Sequence, residues 1–175
     1  MVIEATDAVR AYSRTGQLRW QHDLSSSADT MLLGNQQIFI ACGGSITAWA
    51  TTTGTLQWQQ SNAVLGITTA LAYDSHTLFV AGQVGSQVTA LNLQSGAQEW
   101  SIQGDPGEII KALFVEGNTV LIQTDGSLTA VQKATGKTIW HRASQIQSLF
   151  IDSAKGIIYT IYIDVPNDNS PITSG

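Results

Sequence analysis

The sequence predicts an all-β protein made of repeated four-stranded antiparallel units, and three observations lead to that prediction. The chain of 175 residues is 43% apolar and only 12% charged, which is typical of a folded chain and not of a disordered one. Short runs rich in β-branched and aromatic residues alternate with turn residues along most of the sequence. A motif of Ser or Thr, Gly, three variable residues and Trp returns four times, about forty residues apart.

Each copy of the motif follows an alanine, turns at its glycine and ends in a tryptophan. Glycine can adopt the positive φ that a tight hairpin turn requires. Tryptophan is a large apolar plate that suits the gap between stacked sheets. We therefore interpret these residues as a structural repeat motif that packs neighbouring sheets, with ligand stacking as the alternative. The motif residues are Gly16 and Trp20, Gly54 and Trp58, Gly96 and Trp100, and Gly136 and Trp140.

A second set of hairpins lies between the motifs. Dense apolar runs turn back at 34–35, 74–75, 117–118 and 152–156, and each run reads as a strand buried on both faces. Two hairpins in about forty residues make a four-stranded unit, which is the blade of a β-propeller. Residues 1–165 are thus predicted to form a partial β-propeller of about four blade-equivalents, with 166–175 as a loop or linker. The predicted units are half a blade at 8–23, blades at 28–60, 67–102 and 109–142, and half a blade at 145–163.

The four motif segments resemble the tryptophan-docking motif of the pyrroloquinoline-quinone-like (PQQ-like) family, the quinoprotein alcohol dehydrogenase-like β-propeller repeats. The resemblance covers about residues 8–163. The aspartate of the family pattern is missing from every copy, since Ser13, Ala50, Asn92 and Gln132 stand near its place. Families with this repeat include quinone-dependent dehydrogenases, the bacterial outer-membrane assembly lipoprotein, and luminal sensor or insertase subunits. Only the first of these groups is enzymatic, and kinship of fold alone does not decide the chemistry.

The residues that a quinone-dependent enzyme would need are not apparent in the sequence. The resemblance implies a vicinal cysteine pair and a set of calcium-binding carboxylates, but Cys42 is the only cysteine. The carboxylates of Asp74, Asp125 and Asp152 fall in predicted turns, where Asp ordinarily accepts hydrogen bonds from its own backbone. The sequence therefore predicts no catalytic residue and no cofactor.

The three histidines are not expected to form a metal or catalytic site. His22 and His141 follow motif tryptophans of different repeats, so a ring of blades would hold them apart. A metal site needs at least three convergent ligands. His76 follows Asp74 and Ser75 directly, and three neighbours on one turn cannot form the line of nucleophile, base and orienting carboxylate. We interpret all three histidines as solvated, and the sequence predicts no metal site.

Charge and hydropathy restrict the partners. The net charge of −5 and the lack of any Lys/Arg cluster argue against nucleic acid, which requires clustered positive charge. No run reaches the roughly 18 apolar residues of a membrane span, and no signal peptide is seen near Met1. The compartment is otherwise unassigned, although the family resemblance favours an extracytoplasmic location. The loop-like stretch 166–171 and the half blades suggest a piece of a larger propeller or a chain that associates with itself.

These observations favour a non-catalytic β-propeller scaffold that binds another protein through its loops or a strand edge. The acidic, charge-poor surface suits protein contact. One alternative is a fragment of a PQQ-dependent dehydrogenase. Another is a propeller that binds a carbohydrate or small ligand, for which an exposed aromatic pair on one loop face would be evidence.

Overall fold

The computed structural model describes residues 2–5, 8–34, 36–143 and 146–162, and these residues form an all-β fold as the sequence predicts. Within these ranges one 3₁₀ turn, Val84–Ser86, interrupts the succession of strands. No helix in the described ranges combines the length and apolar character that crossing a membrane requires. The strands are β1 Val2–Ala5, β2 Ala8–Tyr12, β3 Leu18–Asp23, β4 Thr30–Gly34, β5 Gln37–Cys42, β6 Ser45–Ala50, β7 Leu56–Gln60, β8 Thr68–Tyr73, β9 Thr77–Gly82, β10 Val88–Asn92, β11 Gln98–Ile102, β12 Ile110–Glu116, β13 Thr119–Thr124, β14 Ser127–Gln132, β15 Thr138–Ala143, β16 Ile146–Asp152 and β17 Ile157–Tyr162.

The strands form five sheets in chain order, each an antiparallel meander. The first sheet is β1–β3, the second β4–β7, the third β8–β11, the fourth β12–β15 and the fifth β16–β17. The opening strands β4, β8 and β12 are neighbours in space, so the sheets stand side by side as propeller blades do. Strand β1, which pairs with β2, extends the first sheet beyond the half blade predicted at 8–23.

The core lies between the sheets and not within one central cluster. Four apolar clusters each join one sheet to the next, and they follow one another from the first sheet to the fifth. Phe39 of the second sheet and Phe79 of the third are completely buried in this way. None of the apolar clusters of described residues joins the first sheet to the fifth.

The alanine of the motif has a defined partner across the hairpin. In every repeat it stands directly opposite the motif tryptophan, and the strand pairing shifts register immediately after it. The small side chain is completely buried in all four repeats, which leaves the room above the sheet to the indole. The pairs are Ala11 with Trp20, Ala48 with Trp58, Ala90 with Trp100, and Ala130 with Trp140.

Candidate functional site

The motif tryptophans of the first three repeats reach across to the following sheet. Each indole Nε1–H donates a hydrogen bond to a main-chain carbonyl of the next sheet's motif turn, which fixes the angle between the two sheets. The three bonds run from Trp20 to the Thr51 carbonyl (3.0 Å), from Trp58 to the Leu93 carbonyl (2.9 Å) and from Trp100 to the Lys133 carbonyl (2.8 Å).

The same indoles lie against the motif glycines of the next repeat. A Cβ atom placed on Gly54 would lie 2.7 Å from the ring of Trp20, and one on Gly136 would lie 2.8 Å from the ring of Trp100. Gly96 is in the same contact with Trp58. We call this pairing of indole and glycine turn the docking contact. The sequence indicated the residue types, but not that each tryptophan docks on the glycine of the following repeat.

The loops before β8 and after β9 carry an exposed apolar patch at one end of the third sheet, which we define as Leu65, Ile67 and Val84. These side chains are 53%, 49% and 52% exposed. The loop 61–67, which leads from the second sheet to the third, is anchored by Val64, whose buried side chain belongs to the core between those sheets. Sequence reasoning missed the patch. The sequence feature that could have indicated the patch is the run of apolar residues 63–65, which lies between two predicted blades.

Main-chain hydrogen bonds hold the apolar patch in place. The amide of Val84 donates to the Leu65 carbonyl (3.3 Å), and the amide of Gln83 donates to the Ile67 carbonyl (3.0 Å). The amide of Leu65 donates to the side-chain oxygen of Gln87 (3.0 Å). Three exposed aliphatic side chains are therefore presented by backbone that is already ordered, which suits them to contact with a partner.

A cleft of 340 Å³ lies between the third and fourth sheets, and Ser86, two residues after Val84 of the patch, is part of its lining. Glu108 and Asp105 are acidic residues of its lining, and the Glu108 carboxylate accepts hydrogen bonds from the hydroxyls of Thr124 and Ser127, both at 2.6 Å. The Ser86 hydroxyl donates to the main-chain carbonyl of Glu108. Thr124 and Ser127 are buried. These bonds fix the Glu108 carboxylate in position within the cleft.

A salt bridge ties the third and fourth sheets together at a motif turn. Lys133 Nζ lies 2.7 Å from Asp74 Oδ2, while Asp74 Oδ1 accepts the amides of His76 and Thr77, both at 2.8 Å. Partial burial favours the neutral acid, but the hydrogen bond and charge of Lys133 and the two amides outweigh it. The pKa of Asp74 is therefore lowered from its ordinary value.

This salt bridge predicts a pH-dependent contribution to stability. Because the pKa of Asp74 is lower in the folded chain, its contribution is present above the unfolded value of about 3.9 and is lost as the pH falls through the folded value. Asp74→Asn is expected to lower the free energy of unfolding by about 1 kcal/mol or less at pH 7, with the difference shrinking below pH ~4. Urea unfolding across pH 3–7 measures this.

The opposite side of the salt bridge supplies the control. Lys133→Gln should weaken the same pH dependence, because the carboxylate then loses its cation but keeps both amides. If wild type and Asp74→Asn show parallel stability curves over this pH range, the assignment to Asp74 is wrong.

The histidines occupy separate places. His22 stacks on Trp49 with ring centroids 4.5 Å apart, and the Nδ1 of His141 lies 2.9 Å from a threonine hydroxyl of the fourth sheet. His76 Nδ1 contacts the Ser75 hydroxyl at 2.6 Å, while the Asp74 carboxylate accepts main-chain amides and not the imidazole. Within the described ranges, no three side chains of His, Cys, Asp or Glu converge as metal ligands would.

The remaining candidate groups lie in local structure. Burial, together with the carboxylate of Asp29, raises the pKa of the Cys42 thiol against an opposing hydrogen bond from Ser26. Such a thiol is largely protonated at neutral pH. The Asp125 carboxylate accepts the amide of Ile109 in the loop before β12, at 3.0 Å. The Asp152 carboxylate accepts the amide of Lys155 in its own turn, at 3.2 Å.

Comparison with known proteins agrees with the propeller architecture. The family model described as outer membrane protein assembly factor BamB matches residues 42–163. The crystal structure of BamB from Moraxella catarrhalis is 22% identical, with a TM-score of 0.65, over 84% of this chain and 50% of that one. The computationally designed Ika8 protein is 19% identical, with a TM-score of 0.75, over 92% of this chain and 55% of that one. The chain thus spans about half the length of both structures. No curated protein matches the sequence.

Proposed function

Because the chain belongs to the family of the outer membrane protein assembly factor BamB, we propose that it is a non-catalytic scaffold that binds a protein partner during outer-membrane protein assembly. The apolar patch of Leu65, Ile67 and Val84 is the observation that carries the proposal. Exposed apolar side chains that are grouped on ordered backbone suit contact with a protein partner. Membership of a family named for the assembly of outer membrane proteins supports the further proposal that the chain works outside the cytoplasm.

The surroundings of the patch suit a protein partner. Ser86, two residues after Val84, donates its hydroxyl to the main-chain carbonyl of Glu108, and the Glu108 carboxylate is held in the cleft by Thr124 and Ser127. An apolar centre with a polar border is the common arrangement of a protein interface, in which the border fixes the orientation of the partner. An acidic group at the border favours a partner with a basic residue opposite it.

A fragment of a quinone-dependent dehydrogenase is the alternative. Such an enzyme needs carboxylates free to bind a metal beside the quinone. In this chain Asp74 is paired with Lys133, and Asp125 and Asp152 accept main-chain amides. Cys42 is the only cysteine in the sequence. These features support the scaffold over the enzyme.

The double variant Leu65→Asp/Val84→Asp tests the patch. Two carboxylates in the centre of the proposed interface would have to be buried unpaired on binding, which is strongly unfavourable. The purified chain is expected to bind a purified outer-membrane assembly complex that lacks its own BamB, and the double variant is expected to lose at least 100-fold in affinity. Surface plasmon resonance measures the binding, and thermal melting confirms that the variant is folded.

Leu56→Asp is the matched control, because Leu56 is 47% exposed but lies at the start of β7, away from the patch. It should bind as the wild type does. Failure of the wild-type chain to bind would refute the role in outer-membrane assembly. Equal binding by wild type and the double variant would refute the patch as the interface.

A further inference from the structure

The fourth sheet holds a carboxylate at a place where the third sheet holds an aliphatic side chain. Gly82 and Thr124 are the last residues of β9 and β13, and each pairs with the first residue of the opening strand beside it. Buried Val64 lies against Gly82, since a Cβ on that glycine would be 2.6 Å from the Cβ of Val64. At Thr124 the loop before the sheet brings the carboxylate of Glu108 instead. The cleft between the third and fourth sheets is therefore lined by a charged group.

The Glu108 carboxylate keeps one oxygen open. Both hydroxyl donors, Thr124 and Ser127, bond to Oε2. Among the described residues no donor bonds to Oε1, which would lie 2.8 Å from a Cβ placed on Gly126. Neither Glu108 nor Asp105, the other acidic residue of the lining, forms a salt bridge with a described residue. The cleft thus presents an acceptor that is held in place but has no cation opposite it.

Aliphatic side chains form another part of the cleft. Ile102 lines it from the third sheet, and Ile122 and Val131 line it from the fourth. The volume of 340 Å³ falls within the range of about 300–1,000 Å³ that pockets for small groups have. Lysine and arginine side chains have the matching character, because an aliphatic stem carries a cationic head. The lining therefore suits a long basic side chain better than a purely apolar or an acidic one.

Hydrogen bonds connect the cleft to the apolar patch. Ser86 donates its hydroxyl to the Glu108 carbonyl, and its own carbonyl accepts the amide of Gly104 at 3.1 Å. Two residues earlier, the amide of Val84 donates to the Leu65 carbonyl of the patch. Ser86 is buried with a φ of +46°, a conformation that a serine keeps only where its surroundings hold it. Patch and cleft are thus held in a fixed relation, and one partner can contact both.

We propose that the cleft takes a lysine or arginine side chain of the protein partner that covers the patch, an inference that rests on the proposed function. The stem of that side chain lies along the aliphatic lining, and its cationic head donates a charge-assisted hydrogen bond to Glu108 Oε1. A partner with an acidic residue at this place is repelled by the same carboxylate, so the cleft selects among partners as well as binding one.

Titration of the purified chain with N-acetylarginine amide tests the cleft without any partner. Saturable NMR shifts are expected at the amides of Gly126 and Ser127, and N-acetylcitrulline amide, which is similar in shape but uncharged, should bind about 10-fold or more weaker. Glu108→Gln should weaken the arginine probe by a similar factor, although its amide oxygen still accepts the two hydroxyls. Glu116→Gln is the matched control, because Glu116 also accepts a hydroxyl at 2.6 Å but ends β12, outside the cleft. A wild type that shows no such shifts, or equal binding by Glu108→Gln, would overturn the proposal.

Binding to the outer-membrane assembly complex separates this inference from the proposed function. Glu108→Gln is expected to raise the dissociation constant about 10-fold or more, whereas Glu116→Gln should bind as the wild type does. If the wild type does not bind the complex, the proposed function is wrong, and the partner side chain proposed for the cleft is wrong with it, even where the arginine probe binds. If Leu65→Asp/Val84→Asp loses binding but Glu108→Gln keeps it, the patch stands and the assignment of the cleft is wrong.

Discussion

Replacing Trp58 with alanine is expected to lower the free energy of unfolding by about 3–5 kcal/mol, as large aromatic deletions in a core do. Trp58 is only 7% exposed and belongs to the cluster that joins the second and third sheets, where its ring centroid lies 5.9 Å from that of Phe39. The substitution also leaves the Leu93 carbonyl without its indole donor. Both losses fall on the same junction between sheets.

Trp58→Phe separates packing from hydrogen bonding. The phenyl ring keeps much of the apolar contact but has no donor for the Leu93 carbonyl, so a smaller loss of roughly 1–2 kcal/mol is expected. Urea unfolding followed by far-ultraviolet circular dichroism measures all three proteins at one concentration. A Trp58→Ala chain within about 1 kcal/mol of the wild type would contradict a structural role for the motif tryptophan.

The blades could be predicted from the sequence because the repeat makes each signal redundant. One Ser/Thr-Gly-x-x-x-Trp match is weak, but four in register fix the closing hairpin of every blade, and the alternating turn residues fix the opening hairpin. Strand β1 was not predicted because Val2–Ala5 is a short run without a motif. It is recognised as a strand by its pairing with β2. Local patterns indicate strands far better than they indicate pairing.

The candidate site could not be predicted in the same way, because it depends on contacts between repeats. The exposure of Leu65 and Val84 is set by a hydrogen bond between two loops, and an apolar residue in a loop has no periodicity that would indicate its direction. The Asp74–Lys133 salt bridge joins turns of different blades, so the spacing of one repeat does not reveal it. The prediction that turn aspartates bind their own backbone held for Asp74, but its pairing with Lys133 was missed.

Gly96→Ala is expected to destabilise the fold by about 3 kcal/mol or more, although it adds a single methyl group. Gly96 has a φ of +71°, and an alanine held in this left-handed conformation destabilises the fold by about 1–2 kcal/mol through steric strain. In addition, the new Cβ would overlap the indole of Trp58. The ring must move away from the Leu93 carbonyl to make room, which disrupts the core between the second and third sheets.

A matched glycine and a double-mutant cycle separate these two costs. Gly43 also has a positive φ, +54°, but open space around it, so Gly43→Ala should show the backbone cost alone. In a Trp58→Ala background the indole is gone, and Gly96→Ala should then cost no more than Gly43→Ala. The resulting coupling energy between Gly96 and Trp58 is expected to be about 1–3 kcal/mol, measured by urea unfolding of the four proteins in the cycle. If the effects of Gly96→Ala and Trp58→Ala on the free energy of unfolding are additive, the glycine is needed only for the backbone conformation of the turn. The close approach of the indole would then not depend on the missing side chain at Gly96.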